Sequence, residues 1–166
     1  MDIFKFAMDK EKLSEDYYRQ LAEKTDNDGL KHICTMLAGE EAKHYEIVRK
    51  MQSEAVEEIA ETPLLKDAGE IFASMRQSPG KFNLDISELD LYKKARDIEQ
   101  QSKAFYLEKA EQVQDPQQKA VFKKLAEEEQ KHYILIDRIC DFVARPQWFL
   151  ENAEMYRFDD YADGVL

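Results

Sequence analysis

The chain repeats itself at a fixed offset of 88 residues, Glu11 to Glu99, and no other feature narrows its possible folds as much. KFAMDKEKLSEDYYRQLAEK, from Lys5, aligns without a gap to KKARDIEQQSKAFYLEKAEQ, from Lys93. Further on, KHICTMLAGEEAKHYEI, from Lys31, aligns to KAVFKKLAEEEQKHYIL, from Lys119. Paired identities include Ala7/Ala95, Glu11/Glu99, Ser14/Ser102, Tyr18/Tyr106, Leu37/Leu125, Glu41/Glu129, His44/His132 and Tyr45/Tyr133. Each copy is a unit whose apolar stripe needs the other copy to cover it.

Helical periodicity divides each unit in two. Helices are expected over residues 3–24, about 29–60, about 86–113, and from Pro116 to about 143. The turn signals are TDNDG at 25–29 and Asp115-Pro116. Residues 61–85 hold Pro63, Gly69, Pro79 and Gly80 and are too long for a tight hairpin, with a short helix expected over PLLKDAGEIFASMRQ. Such a connection can run the length of a bundle, leaving the second and third helices roughly parallel and the halves related by a pseudo-twofold axis. The expected fold is therefore all-α: a four-helix bundle of two pseudo-symmetric hairpins over residues 1–145, with crossover 61–85. A C-terminal extension, 146–166, is expected to pack through its Trp-Phe-Leu run on the bundle or a partner subunit.

Composition narrows the partners. A formal net charge of -11 disfavours nucleic acid and anionic membranes and suits cations. With no 18-residue apolar run and no signal-like start, a cytoplasmic protein is expected. The two cysteines, Cys34 and Cys140, form no CxxC; each reads as a small buried hydrophobe or inert thiol.

The repeat places chemistry at one level. Glu11 lies about 16 residues before the first turn and Glu41 about 14 after it, so at about 1.5 Å per residue both stand some 21–24 Å from the turn. Glu99 and Glu129 have the same relation to the second turn. Glu41 and His44, at i and i+3, share a helix face, as do Glu129 and His132. Two hairpins joined about a pseudo-twofold thus gather four carboxylates and two imidazoles, a set that balances two divalent cations. With no thiol among the donors, iron or manganese is favoured over a soft-metal site, zinc remaining open. An isolated ExxH in an acidic helical protein commonly marks a solvated face. Here it occurs twice with a glutamate upstream at the same interval, and four buried unpaired carboxylates would be costly without metal.

Tyr18 and Tyr106 follow Glu11 and Glu99 by two helical turns, so they can hydrogen-bond ligating carboxylates or simply pack in the core. His32 has Ala120 as its counterpart and is expected to be a partly exposed helix residue.

At these residues the sequence resembles the ferritin-like di-iron domain, particularly the rubrerythrin group. The motifs are ExxSxxYY, from Glu11, with LAGEEAKH ending at His44, and ExxSxxFY, from Glu99, with LAEEEQKH ending at His132. The resemblance covers about residues 3–143. It implies two iron ions, with Glu11 and Glu99 as terminal ligands, Glu41 and Glu129 as the bridging pair, and His44 and His132 as imidazole ligands. It also implies reduction of hydrogen peroxide or oxygen. Full-length rubrerythrins carry a rubredoxin-like centre in two CxxC motifs, which are absent here, so an external donor such as a rubredoxin-like protein is expected. They also carry a further glutamate one turn after the third-helix ligand, where this chain has Ser102, and Ser14 matches it. The six-ligand set is closer to a bacterioferritin ferroxidase centre. Ferroxidase work and a non-enzymatic, metal-bound interaction or sensor domain are the alternatives, and a homodimer is expected.

Overall fold

The computed structural model describes residues 2–77 and 84–152. In these the chain forms α1 (Ile3–Lys24), α2 (Asp28–Gln52), α3 (Leu64–Gln77), a 3-10 turn (Ile86–Glu88), α4 (Leu89–Gln112), α5 (Pro116–Ala144) and α6 (Pro146–Glu151). The helix starts are written in side chains. Asp2 accepts from the amides of Phe4 and Lys5, Asn27 from that of Leu30, and Asp115 from that of Gln117, ahead of Pro116 in the first turn of α5.

The second helix stops at Gln52, eight residues short of the expected 60. Glu54 adopts a left-handed conformation (φ 65°), so the amides of Glu54 and Ala55 turn back onto the carbonyls of Met51 and Lys50. This is the helix stop usually made by glycine. With glutamate in that place, costing about 1 kcal/mol, the sequence carried no readable stop. The third long helix likewise starts at Leu89 rather than 86, after the 3-10 turn.

α1 packs chiefly on α2, and α4 on α5; the hairpins meet along α1–α4 and α2–α5. Tyr18 of α1 bonds Glu99 of α4, while Tyr106 of α4 bonds Glu11 of α1, so these helices run antiparallel. It follows that α2 and α4 point the same way, as the long crossover requires. This is the all-α bundle expected from the repeat, and the ferritin-like one that the family resemblance implies.

Two apolar clusters fill the bundle, one toward each end. The first joins Tyr18, Leu21, Ile33, Leu37, Tyr92, Leu135, Ile139 and Phe142; the second joins Ala7, Val48, Met51, Tyr106, Phe122 and Leu125. On all four long helices the residues between them are polar: Glu11 and Ser14, Glu41 and His44, Glu99 and Ser102, Glu129 and His132. α3 closes the first end, where Phe72 meets Phe142 of α5 and Phe149 of α6 with ring centres 5.4 and 5.0 Å apart. Such aromatic pairs add about 0.5–1.5 kcal/mol each beyond area burial. Of the C-terminal extension, Phe149 and Leu150 are buried on the bundle while Trp148 is 41% exposed. Residues 153–166, and with them the rest of that extension, lie outside the described residues, as do Pro79 and Gly80. No described helix is long and apolar enough to cross a membrane.

Candidate metal centre

The polar layer brings all six predicted residues together in two overlapping groups: Glu11, Glu41, His44 and Glu129, then Glu41, Glu99, Glu129 and His132. Within each group one candidate ligand atom per residue lies within 4.8 Å of every other. Glu41 and Glu129 belong to both. The four carboxylates and two imidazoles are each at most 2% exposed. The i,i+3 spacing points each Glu and its His inward from one helix, and the pseudo-twofold brings the rings face to face, 5.3 Å apart and 6° from parallel.

The shortest contact of each histidine crosses between the hairpins. His44 Nδ1 is 2.9 Å from Glu129 Oε1 and 3.7 Å from Glu11 Oε2. His132 Nδ1 is 3.1 Å from Glu41 Oε1 and 3.6 Å from Glu99 Oε2. The tyrosine hydroxyls also cross, Tyr18 donating to Glu99 and Tyr106 to Glu11. Spacing alone did not say that each tyrosine serves the opposite hairpin's glutamate. Burial first, and then the facing carboxylates, raise both phenols well above their ordinary value and keep them neutral donors.

The donors suit hard or borderline divalent cations, with four carboxylates, two imidazoles and no sulfur. One oxygen each of Glu41 and Glu99 is buried without a hydrogen-bond donor, an arrangement that a cation would relieve.

Without a cation, protons must offset this charge. Burial, then the Glu99 charge, push the Glu41 carboxyl up from 4.5 to about 8. Glu129 is raised well above the ordinary range by burial and then by Glu41. Burial acts to lower His44 and His132, but the surrounding carboxylates outweigh it and raise both imidazoles well above 6.5. Burial acts to raise Glu11 and Glu99, but the adjacent imidazoles outweigh it and lower both.

A sign follows. Groups that hold protons more tightly in the folded chain contribute stability that is complete below their unfolded pKa and is lost as pH rises through the folded one. Glu41, Glu129 and both histidines are of this kind; the opposite contribution of Glu11 and Glu99 is lost only in acid, below 4.5. The melting temperature of metal-free protein should therefore fall from the ordinary Glu value of 4.5 up to about 8, and further as the histidines lose their protons. A divalent ion that displaces those protons should flatten the decline. Circular-dichroism melts across this range, in chelator and in excess metal, check it; a level profile in chelator would refute it.

Elsewhere, His32 is exposed, and Cys34 and Cys140 are buried and unpaired, with burial pushing the Cys34 thiol up to about 12. One further cluster went unread in the sequence. Glu128 and Lys131, 2.9 Å apart, are buried beside the layer and tied to Glu61 and Thr62 of the connection after α2. The signal was present, because Glu40 and Lys43 form the same pair, 2.8 Å apart, in the first repeat.

No curated protein and no solved structure matches the chain. A sequence model of the rubrerythrin family matches residues 2–139, the span that carries α1, α2, α4, most of α5 and both Glu/His groups through His132, and the chain belongs to that family.

Proposed function

We propose that this protein is a di-iron oxidoreductase that reduces hydrogen peroxide or oxygen with electrons from a separate donor. The observation that carries the reading is the pair of four-residue groups sharing Glu41 and Glu129, sealed between two apolar clusters. In this reading Glu11 and His44 hold one ion, Glu99 and His132 the other, and Glu41 and Glu129 lie between them. Bound iron supplies the redox chemistry, two electrons per peroxide, which with two protons gives two waters. The protein's part is positioning and exclusion. Tyr18 and Tyr106 fix the Glu99 and Glu11 carboxylates in orientation, as hydrogen-bonding partners of metal ligands commonly do. The apolar clusters above and below keep bulk water from the layer. In this reading the electrons come from outside the bundle, because a rubredoxin-type iron centre takes four thiolates and these 166 residues hold two cysteines, both buried.

An anaerobic iron(II) titration, followed by stopped-flow mixing with peroxide and then with oxygen, tests this. Two irons per chain, one for each group, and faster oxidation by peroxide are expected. A faster oxygen reaction would move the assignment to an oxidase or ferroxidase. Failure to bind two ions, of iron or of manganese, would remove the metal reading altogether.

A further inference from the structure

The repeat leads one to expect two equivalent approaches to the buried layer, one beside each histidine, but among the described residues the two sides differ. Counterparts 88 residues apart on α2 and α5 differ sharply in exposure. The Lys43 side chain is 64% exposed and that of Lys131 is 7% exposed. Ile47 is half-buried and Leu135 fully buried, and Glu46 is exposed where Ile134 is buried. One cause is the strap that follows α2, residues 53–63. Glu61 bridges Lys124 (2.7 Å) and Lys131 (3.2 Å), and the Thr62 hydroxyl donates to Glu128 (3.2 Å), so the strap lies over α5 on the His132 side. Both imidazoles are buried, His44 2% and His132 0% exposed, and the His132 Nε2 has neither solvent nor a hydrogen-bond partner.

On the α2 side the same strap stands off. Between Glu40, Lys43, His44 and Ile47 of α2 and Ala60 and Thr62 of the strap runs an open groove of about 560 Å³, with His44 in its lining and no residue of α5. A second groove, on the other side of the strap, is lined by Val56, Ile59, Ala120 and Lys124 and does not include His44.

We propose that small solutes reach the buried Glu/His layer from one side only, through the groove between α2 and the strap and past His44. What travels there, the peroxide or oxygen of the reaction, rests on the di-iron reading; the route itself is a property of the protein alone. The strap makes two equivalent half-sites inequivalent, so the His44 side meets incoming solute and the His132 side stays sealed.

The chain's three histidines make the test direct. Metal-free protein is treated at alkaline pH with diethyl pyrocarbonate, which transfers an ethoxycarbonyl group to an accessible, unprotonated imidazole nitrogen, and peptide mass spectrometry follows each histidine separately. Exposed His32 is the reference. His44 should react at least about tenfold faster than His132, since reaction at the latter must await local opening. Ala60→Trp, at an exposed position in the groove wall, should slow His44 several-fold and leave His32 unchanged. Ala120→Trp, exposed and in the second groove, should leave His44 unchanged. Equal rates at His44 and His132 in the unaltered protein would overturn the route, as would an Ala60→Trp variant that labels like the parent. The iron titration is read separately. If no metal binds but the labelling ratio holds, the di-iron reading alone falls; if metal binds and the ratio is one, the route alone falls.

Discussion

Replacing Glu41 and Glu129 together with glutamine is expected to abolish tight binding at both metal positions while leaving the bundle folded. The two carboxylates are the members common to both groups, so no single ion escapes their loss. Four-ligand sites binding a divalent ion with roughly 10–16 kcal/mol imply about 3 kcal/mol per ligand, so the pair should weaken binding by on the order of 10⁴-fold. In the metal-free protein the direction reverses. Both carboxyls are raised by burial and by neighbouring carboxylates, so a neutral side chain of the same size relieves repulsion, and the chelated variant should melt higher than the chelated parent above neutral pH. Glu11→Gln serves as the contrast, because Glu11 belongs to one group only and its loss should weaken one ion before the other. Metal content after gel filtration and melts in chelator provide both readouts. Undiminished binding of two ions would remove Glu41 and Glu129 from the ligand set.

The second large effect lies beside the layer. Lys131→Met should destabilise the protein by about 3 kcal/mol, the lower end of the range for breaking a buried ion pair. The cost stays at that lower end because Lys124, 3.8 Å from Glu128, and the Thr62 hydroxyl remain as partial compensation. For a chain of this length that corresponds to roughly 6–12 °C in melting temperature. Glu128 is 0% exposed, so its charge left alone is what costs stability, not the missing amine. Changing both residues, Glu128→Met with Lys131→Met, should recover most of the loss, and a double-mutant cycle by denaturant unfolding measures it. A double variant as unstable as Lys131→Met would mean that the strap's anchorage to α5 through Glu61 and Thr62, rather than the stranded carboxylate, governs the effect.

Much of this molecule is legible in its sequence, for a specific reason. A gap-free repeat fixes the relative height of residues on paired helices, so Glu11, Glu41, His44 and their counterparts could be set at one level by counting along the helices. Asp2, Asn27 and Asp115 are ordinary helix-capping residues and announce themselves. What stayed hidden depends on departures from the repeat or from local propensity. The end of α2 rests on a glutamate in a glycine's conformation. Among the described residues the strap has no counterpart in the second half, so its contact with Lys131 and the groove beside His44 could not be read from symmetry. For Tyr18 and Tyr106 the sequence left carboxylate hydrogen bonding and core packing equally open, and which carboxylate each meets depends on how the hairpins dock, a long-range fact that periodicity does not encode.

The crosswise arrangement of the layer also has a consequence for assembly. Each four-residue group takes members from both hairpins, and neither hairpin alone carries more than three of the six residues. Slip one hairpin by a single turn against the other, about 5.4 Å, and three donors remain on each side with no complete set anywhere. An ion that binds only the complete set stabilises only the correctly registered chain, by mass action. The cofactor would then act as a proofreader of docking as well as a reagent, rewarding one register among those that the similar apolar stripes of two related halves would otherwise tolerate.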